Sequence, residues 1–446
     1  MEIYKFGGAS LSTAASVRAM GKILETIGTS RPLVVVVSAM GKVTNQLELL
    51  LQAAMGGQGW PEAAMQALRE FHMAMAHELL GRGDEGLLRT AALLESLERT
   101  LRALPKEDYD MSYDRVVPYG ELLSSTIVAA YLKTLLPAVE WVDIRGSLRT
   151  NNEHRNALVD EALSSGMVQQ TFSRGAGTLY VTQGFIASTA QGTTTTLGRE
   201  GSDYTAALLG AMLKADAVTI WKDVAGFLSA DPKLFPRAVF LPHLPYREAL
   251  EMSYSGAKVV HPKAVKPMQN AGIPLYVRSF ETPEALGTRI GDGAEATVQL
   301  HDLIAVREGQ VLLSVGQRDL SFASEEAMSR VFSVLAAHRI AVNLLQQSAV
   351  SISLCVTRDS TRLPRAIDAL GEENFVTYNE DLVLLTVRHC SSRLRLVLSN
   401  VSEVLVRQET RHTVQVVLSN AAWTQEVYPA MLSAIGFRAC WRRRTE

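Results

Sequence analysis

The sequence predicts an α/β protein on a mainly parallel sheet for its first two-thirds, followed by a smaller α+β region. Three observations carry that expectation. The run Leu33-Val34-Val35-Val36-Val37, bounded by Pro32 and Ser38, has the length and continuous β-branched character of a strand covered on both faces. Before it lies a strand, a glycine turn and a helix, so two strands flank one helix in a βαβ opening. Beyond residue 300 the pattern changes to a short β-α-β-β-α-β series.

The elements follow in order. Ile3-Tyr4-Lys5-Phe6 reads as the first strand, and Val17 to Leu24 as the helix after the glycines. From Trp60 to Leu104 the chain is rich in Ala, Leu, Met, Glu and Arg, with turn signals only near Gly81, Gly83 and Gly86, and reads as helices. Val139 to Asp143, Thr178 to Thr182 and Ala217 to Trp221 restore strand character, with a helix expected over Tyr204 to Lys214. Gly287, Gly291 and Gly293 mark an interdomain joint. After it, strands are expected at Val311 to Val315, Ala341 to Leu345, Val350 to Val356 and Phe375 to Tyr378. Helices are expected at Glu325 to His338 and Leu363 to Leu370. A second set runs through Leu382 to Val387, Val404 to Gln408, Val414 to Leu418 and a helix near Glu426 to Ile435. From pattern alone such a pair serves small-molecule binding or dimerisation equally well.

At 446 residues the chain is longer than one core usually runs, and 47% hydrophobic with 20% charged residues is a globular composition. Forty-four Lys and Arg against 46 Asp and Glu leave a net charge of -2, which gives no global pull towards nucleic acid. Cys355, Cys390 and Cys440 are scattered and lack metal-ligand spacing, so a reducing cytoplasm is expected rather than a disulfide framework. The opening apolar run is strand-sized, and no membrane partner is expected.

Five segments carry the chemistry. Lys5-Phe6-Gly7-Gly8-Ala9-Ser10 places two glycines and a fixed charge after a strand, where backbone N–H groups meet an anion, although such a turn is as readily structural. Ser38 to Asn45 repeats the arrangement after the second strand, and two mouths on neighbouring parallel strands imply one crevice; turn and capping chemistry is the plainer reading. Thr193 to Thr205 crowds hydroxyls, glycines, Arg199 and Asp203 ahead of a helix. Arg199 suits carboxylate recognition, and Asp203 suits orienting a nucleophile or a metal-bridged phosphate. Ile220 to Lys233 is a strand leaving into a polar loop, and Ser255 to Pro262 adds Lys258, with His261 read as structural.

Together these segments resemble the aspartokinase branch of the amino-acid kinase family. KFGGAS, GELLSS around Glu121, TTTLGREGSDYTAALL, IWKDVAGFLSADP and SGAKVVHP stand in the family's order across most of residues 1–290. The resemblance implies a three-layer kinase domain over residues 1–295 and a regulatory region over 296–446 with two ferredoxin-like ACT units. These are approximately 311–380, and 381–446 with 298–310. It implies phosphoryl transfer from ATP, with Mg bridging its phosphates, to the side-chain carboxylate of L-aspartate.

Carried over position by position, Lys5, Gly8 and Asp203 organise the transferring phosphoryl group. Ser38, Thr44, Glu121, Arg199 and Ser202 hold aspartate, Glu121 on its ammonium and Arg199 on its α-carboxylate. Lys5, Gly7, Gly8, Lys222, Asp223, Asp231, Lys233 and Lys258 hold ATP. An effector, lysine or threonine, is expected at Asn343, Gln347 and Ser348, although Asn343 and Ala349 stand where lysine-inhibited relatives carry acidic residues. The chain departs from the family at Ala9 (Thr), Glu200 (Gly), Lys222 (Thr) and Leu228 (aromatic). A homodimer or higher oligomer through the ACT region is expected. Two rivals remain: another carboxylate or carbamate kinase of the same fold, and an amino-acid-sensing protein with a vestigial kinase domain.

Overall fold

The computed structural model describes all residues except 28–30, 57–59, 106–107, 174, 176, 258, 294–300, 319–321, 323 and 436–446. The chain divides into two compact units. One comprises Met1–Phe227, Pro242–Leu250 and Val259–Ala294; the other comprises Leu228–Leu241, Glu251–Lys258 and Glu295–Glu446. Among the described residues no helix is long and apolar enough to cross a membrane.

The strands of the first unit are β1 (Glu2–Phe6), β2 (Leu33–Val37), β3 (Val139–Val142), β4 (Arg149–Thr150), β5 (Leu179–Gln183), β6 (Ile186–Thr189), β7 (Thr194–Thr196), β8 (Ala217–Lys222), β9 (His243–Leu244), β10 (Leu275–Ser279) and β11 (Thr288–Ile290). Eight of them form one sheet in the order β3-β5-β2-β1-β8-β10-β11-β9, and β4-β6-β7 form a smaller one. Among the described residues of the large sheet only the β10 to β11 pairing is antiparallel. The mainly parallel sheet is therefore as expected.

Its centre reflects the sequence directly. Val34 to Val37 are 0% exposed, as two-sided cover of a β-branched strand requires. Crossovers run through helices, among them α1 (Ala14–Ile27), α2 (Val43–Met55), α3 (Glu62–Leu79), α4 (Glu85–Arg102), α5 (Tyr109–Val116), α6 (Tyr119–Leu135), α7 (Glu161–Thr171) and α8 (Gly201–Met212). α4 starts where Asp84 accepts the Gly86 N–H at 2.7 Å, an N-cap that stops the preceding turn from fraying. α6 and α8 are apolar almost all round and are accordingly buried along most of their length.

The second unit carries an antiparallel sheet of β12 (Leu303–Gln317), β13 (Val342–Gln347), β14 (Ser351–Thr357), β15 (Asn374–Arg388), β16 (Val404–Glu409) and β17 (Thr413–Ser419), in the order β13-β14-β12-β15-β17-β16. Helices Glu325–Ala337 and Arg362–Glu373 pack under one half, and Ser392–Ser399 and Tyr428–Ala434 under the other, each over its own apolar cluster. Two β-α-β-β-α-β units are thus present, but they share strands. β12 and β15 each run 15 residues through both halves, where the sequence reading places only Val311 to Val315 along the first and two strands, Phe375 to Tyr378 and Leu382 to Val387, along the second.

Candidate active site

The site is built from strand ends. β1 lies between β2 and β8, all three parallel, with Phe6 opposite both Val37 and Trp221. The residues that follow are therefore neighbours: Gly7 and Gly8 after β1, Ser38 and Ala39 after β2, and Lys222 closing β8. β5 lies next to β2 with Gln183 opposite Val37, which adds Gly184 to the same edge. A row of parallel strand ends is where α/β sheets leave a crevice for ligands.

The two glycine mouths bind each other. The Gly41 N–H donates to the Gly8 carbonyl at 2.9 Å, and a Cβ on Gly8 would lie 2.6 Å from the Gly41 carbonyl oxygen. No side chain fits there. Behind Gly7, a Cβ would sit 3.3 Å from the Lys5 Nζ, so the bare backbone leaves that ammonium in reach of the mouth.

Lys5 is 4% exposed and its Nζ lies 2.6 Å from Oδ1 of Asp203, which is 0% exposed in the first turn of α8. Lys222 Nζ meets the other oxygen of Asp203 at 3.3 Å. Burial pushes the Asp203 carboxyl up, but the two ammonium groups outweigh it and hold the carboxyl below its ordinary range. One carboxylate between two lysines, at a helix N-terminus beside an open backbone, leaves a net positive centre suited to phosphate.

Glu121, in the first turn of α6, is the opposite case. It is 2% exposed, its Oε1 accepts the Ala39 N–H at 3.1 Å, and Oε2 has no hydrogen-bond partner. Burial pushes its carboxyl up to about 8; the Ala39 N–H, its own N–H and the Lys5 charge only partly offset this. α6 reaches the strand ends because Gly120 has no side chain: a Cβ there would lie 2.8 Å from that of Ala39. Ser124 fixes the contact by donating to the Ser38 carbonyl at 2.7 Å. A buried carboxylate with a vacant lone pair is chemically suited to a cationic group.

The remaining sequence-predicted residues distribute as follows. Ser38 and Thr44 are half-buried at the second mouth and in the first turn of α2. Ser202, 7% exposed, packs so closely on Gly184 that a Cβ there would lie 2.5 Å from the Ser202 Cβ. Arg199 is exposed on the loop between β7 and α8, and Asp223 is exposed just past β8. Asp231 and Lys233 belong to the second unit, where Asp231 caps the Lys233 N–H at 2.9 Å. Lys258 lies outside the described residues. In the second unit, the Asn343 amide is engaged internally: it donates to Gln310 Oε1 at 2.7 Å and Thr357 Oγ1 at 2.9 Å, and it accepts from Arg307. Gln347 and Ser348 are exposed.

Sequence reasoning passed over three features. Phe185 takes a left-handed backbone (φ 69) beside Gly184 and donates its N–H to Thr205 Oγ1 at 3.0 Å. Glu200, the N-cap of α8, is also left-handed (φ 53), and its Oε2 lies 4.0 Å from Lys222 Nζ. The loop under Arg199 is anchored from afar. A Cβ on Gly198 would lie 2.6 Å from Asn156 Oδ1, which takes a 2.6 Å bond from Lys263 Nζ, while buried Asp114 accepts from Thr196 Oγ1 at 2.6 Å and His154 Nδ1 at 2.8 Å. These partners are scattered along the chain, and no local motif announces them.

The profile of the Amino acid kinase family matches residues 1–279. Lysine-sensitive aspartokinase 3 of Escherichia coli is 33% identical over 362 residues, 80% of this chain and 78% of that protein. The chain belongs to the amino acid kinase family, among the aspartokinases. The chloroplastic bifunctional aspartokinase/homoserine dehydrogenase of Daucus carota is 37% identical over 295 residues, and the chain spans about a third (32%) of its length. Among solved structures, E. coli aspartokinase III in complex with aspartate and ADP (R-state) superposes with a TM-score of 0.83 at 27% identity, covering 98% of this chain and 99% of the other. The lysine and aspartate complex of the same enzyme (T-state) gives 0.77. The aspartokinase likeness thus extends through both units, as the resemblance implied.

Proposed function

We propose that the chain is an ATP-dependent aspartokinase that moves the γ-phosphoryl group of ATP onto the β-carboxylate of L-aspartate, giving aspartyl phosphate and ADP, the first step of lysine, threonine and methionine biosynthesis. The observation that carries the reading is a pair of buried carboxylates of opposite character at one row of strand ends. Asp203 is tied to two lysines, and Glu121 keeps an unpartnered oxygen. The first arrangement suits a triphosphate, and the second suits the ammonium of a zwitterion.

The chemistry asks little more of the protein. The bond from the γ-phosphorus to the β,γ-bridging oxygen breaks, a new one forms to a β-carboxylate oxygen, and that carboxylate is already ionised near neutrality, so no general base is needed. Lys5 offsets the migrating charge beside the Gly7 and Gly8 amides, and Asp203 fixes the Lys5 ammonium. Glu121 takes the substrate ammonium, Arg199 its α-carboxylate, and Ser38, Thr44 and Ser202 complete the pocket. Lys222, Asp223, Asp231, Lys233 and Lys258 belong to the nucleotide side. Among the described residues no group of three or more His, Cys, Asp and Glu side chains is arranged to hold a metal. Magnesium bridging the ATP phosphates would supply further screening of their charge when bound.

Regulation by lysine or threonine near Asn343, Gln347 and Ser348, a homo-oligomer formed through the second unit and a cytoplasmic setting complete the proposal. The test is formation of aspartyl hydroxamate from MgATP, L-aspartate and hydroxylamine. Product that requires aspartate supports the reading. Turnover only with a carboxylate lacking an α-amino group, or none at all, overturns it.

A further inference from the structure

We infer that Glu200 is a positioning residue for Lys222, and that Lys222 is a second phosphate-contacting cation that exchanges Asp203 for a nucleotide phosphate oxygen when ATP binds. The inference rests on the aspartokinase reading and deepens it. Both residues stand where the resemblance expects uncharged ones, Gly and Thr, and both carry opposite charges here.

The two lysines on Asp203 are not equivalent. Lys5 is the inner partner, at 2.6 Å with its side chain 5% exposed; Lys222 is the outer one, at 3.3 Å and 16% exposed. A single carboxylate satisfies the closer ammonium and leaves the farther one with incomplete compensation. The third member is Glu200, whose Oε2 lies 4.0 Å from Lys222 on the solvent side, 44% exposed. Lys222 is therefore shared between a buried anion and an exposed one. Because Trp221 is opposite Phe6 across the β1 to β8 ladder, Lys222 ends its strand next to the point where Gly7 leaves β1, at the open mouth.

Glu200 reaches this position through a left-handed backbone at the start of α8, a conformation unfavourable for any residue with a Cβ. A carboxylate held there at a backbone cost draws Lys222 outward, away from full pairing with Asp203. Without nucleotide the four charges of Lys5, Lys222, Asp203 and Glu200 sum to zero. An arriving phosphate offers Lys222 a charged acceptor in place of Asp203, which keeps Lys5 at 2.6 Å, while the more distant Glu200 holds Lys222 towards the mouth.

The test uses the full-length enzyme with MgATP and aspartate and the variants Lys222→Met, Lys222→Arg, Glu200→Gln and the Lys222→Met/Glu200→Gln double variant. Losing a charge-assisted contact predicts a rise in the MgATP KM of about ten- to a hundredfold for Lys222→Met. The aspartate KM changes less than about twofold, and Lys222→Arg recovers most of the loss because it restores charge and donors. Glu200→Gln raises the MgATP KM by about threefold, and that effect vanishes in the Lys222→Met background, as expected for a residue acting only through Lys222. An unchanged MgATP KM in Lys222→Met, or a Glu200→Gln effect that persists without Lys222, overturns the inference. If the wild type makes no aspartyl hydroxamate, the functional reading fails instead, and calorimetric titration of wild type and Lys222→Met with MgATP still decides whether Lys222 contacts the nucleotide phosphates.

Discussion

Asp203 and Glu121 are both buried acids in the first unit, yet the fold treats them in opposite ways. Asp203 has two lysines and stays ionised; Glu121 has only backbone N–H donors, with Oε2 left without a partner, and its carboxyl is pushed up to about 8. The contrast teaches that burial alone does not set an acid's role. A completed ion pair is a fixed part of the machine, whereas an incomplete hydrogen-bond set is a binding site that awaits its partner.

The sharpest way to break the comparison is at its fixed end. Lys5→Met removes the closer cation, leaves Asp203 to Lys222, and deletes the charge beside the glycine mouth. Its kcat for hydroxamate formation is expected to fall by about a thousandfold, the scale of losing one preorganised charge-stabilising group. A loss below tenfold would show that the buried pair is merely structural, and circular dichroism of the variant guards against misfolding.

The waiting end is tested by pH. Ammonium binding needs Glu121 ionised, and with its carboxyl near 8 the competent fraction rises about tenfold per pH unit below that value. The sign follows: the apparent KM for aspartate falls as pH rises from 6 towards 8 and levels off above it, about a hundredfold in all. Glu121→Gln should raise that KM and flatten the profile. A pH-independent KM in the wild type would remove Glu121 from the ammonium role.

A smaller effect is expected at Arg199. Because it is exposed, its carboxylate contact is screened by water, and Arg199→Ala should raise the aspartate KM by about tenfold while leaving the MgATP KM unchanged. The reverse pattern would move Arg199 to the nucleotide side.

How far these two ends were legible from sequence differs for a physical reason. Strands β1, β2, β5 and β8 announce themselves through β-branched runs ending in glycine or polar turns, and the residues at their mouths are named by the same local pattern. Pairings are another matter. Lys5 and Asp203 lie far apart in sequence and meet only because β1 and α8 converge, and the orphaned oxygen of Glu121 is a property of packing that no spacing records. In the second unit no strand is expected ahead of Val311, and Asn379-Glu380-Asp381 lies between the two expected strands Phe375 to Tyr378 and Leu382 to Val387; neither Gly309 nor this stretch ends a strand. They are bends instead. Gly309 and Asp381 take positive φ, 64 and 55, and the ladder slips register between Arg307, Gln310 and Leu312, so β12 and β15 continue through a bulge. A local break signal and a bulge use the same residues, and only the partner strand distinguishes them.

The finest contrast lies at the edge of the fixed centre, in Glu200. Its left-handed backbone is easy for glycine and costly for glutamate, and the Glu200 Cβ lies at an exposed helix start. Glu200→Gly should therefore stabilise the fold by about 1 kcal/mol, less the extra freedom that glycine gives the unfolded chain. Glu200→Ala, which keeps the Cβ but removes the carboxylate, should give no such gain. Chemical denaturation midpoints of the two variants separate strain from charge. If both variants stabilise equally, electrostatics around Lys222 rather than backbone strain governs this position; if only glycine does, the strain is real and is retained in this chain for what the carboxylate does.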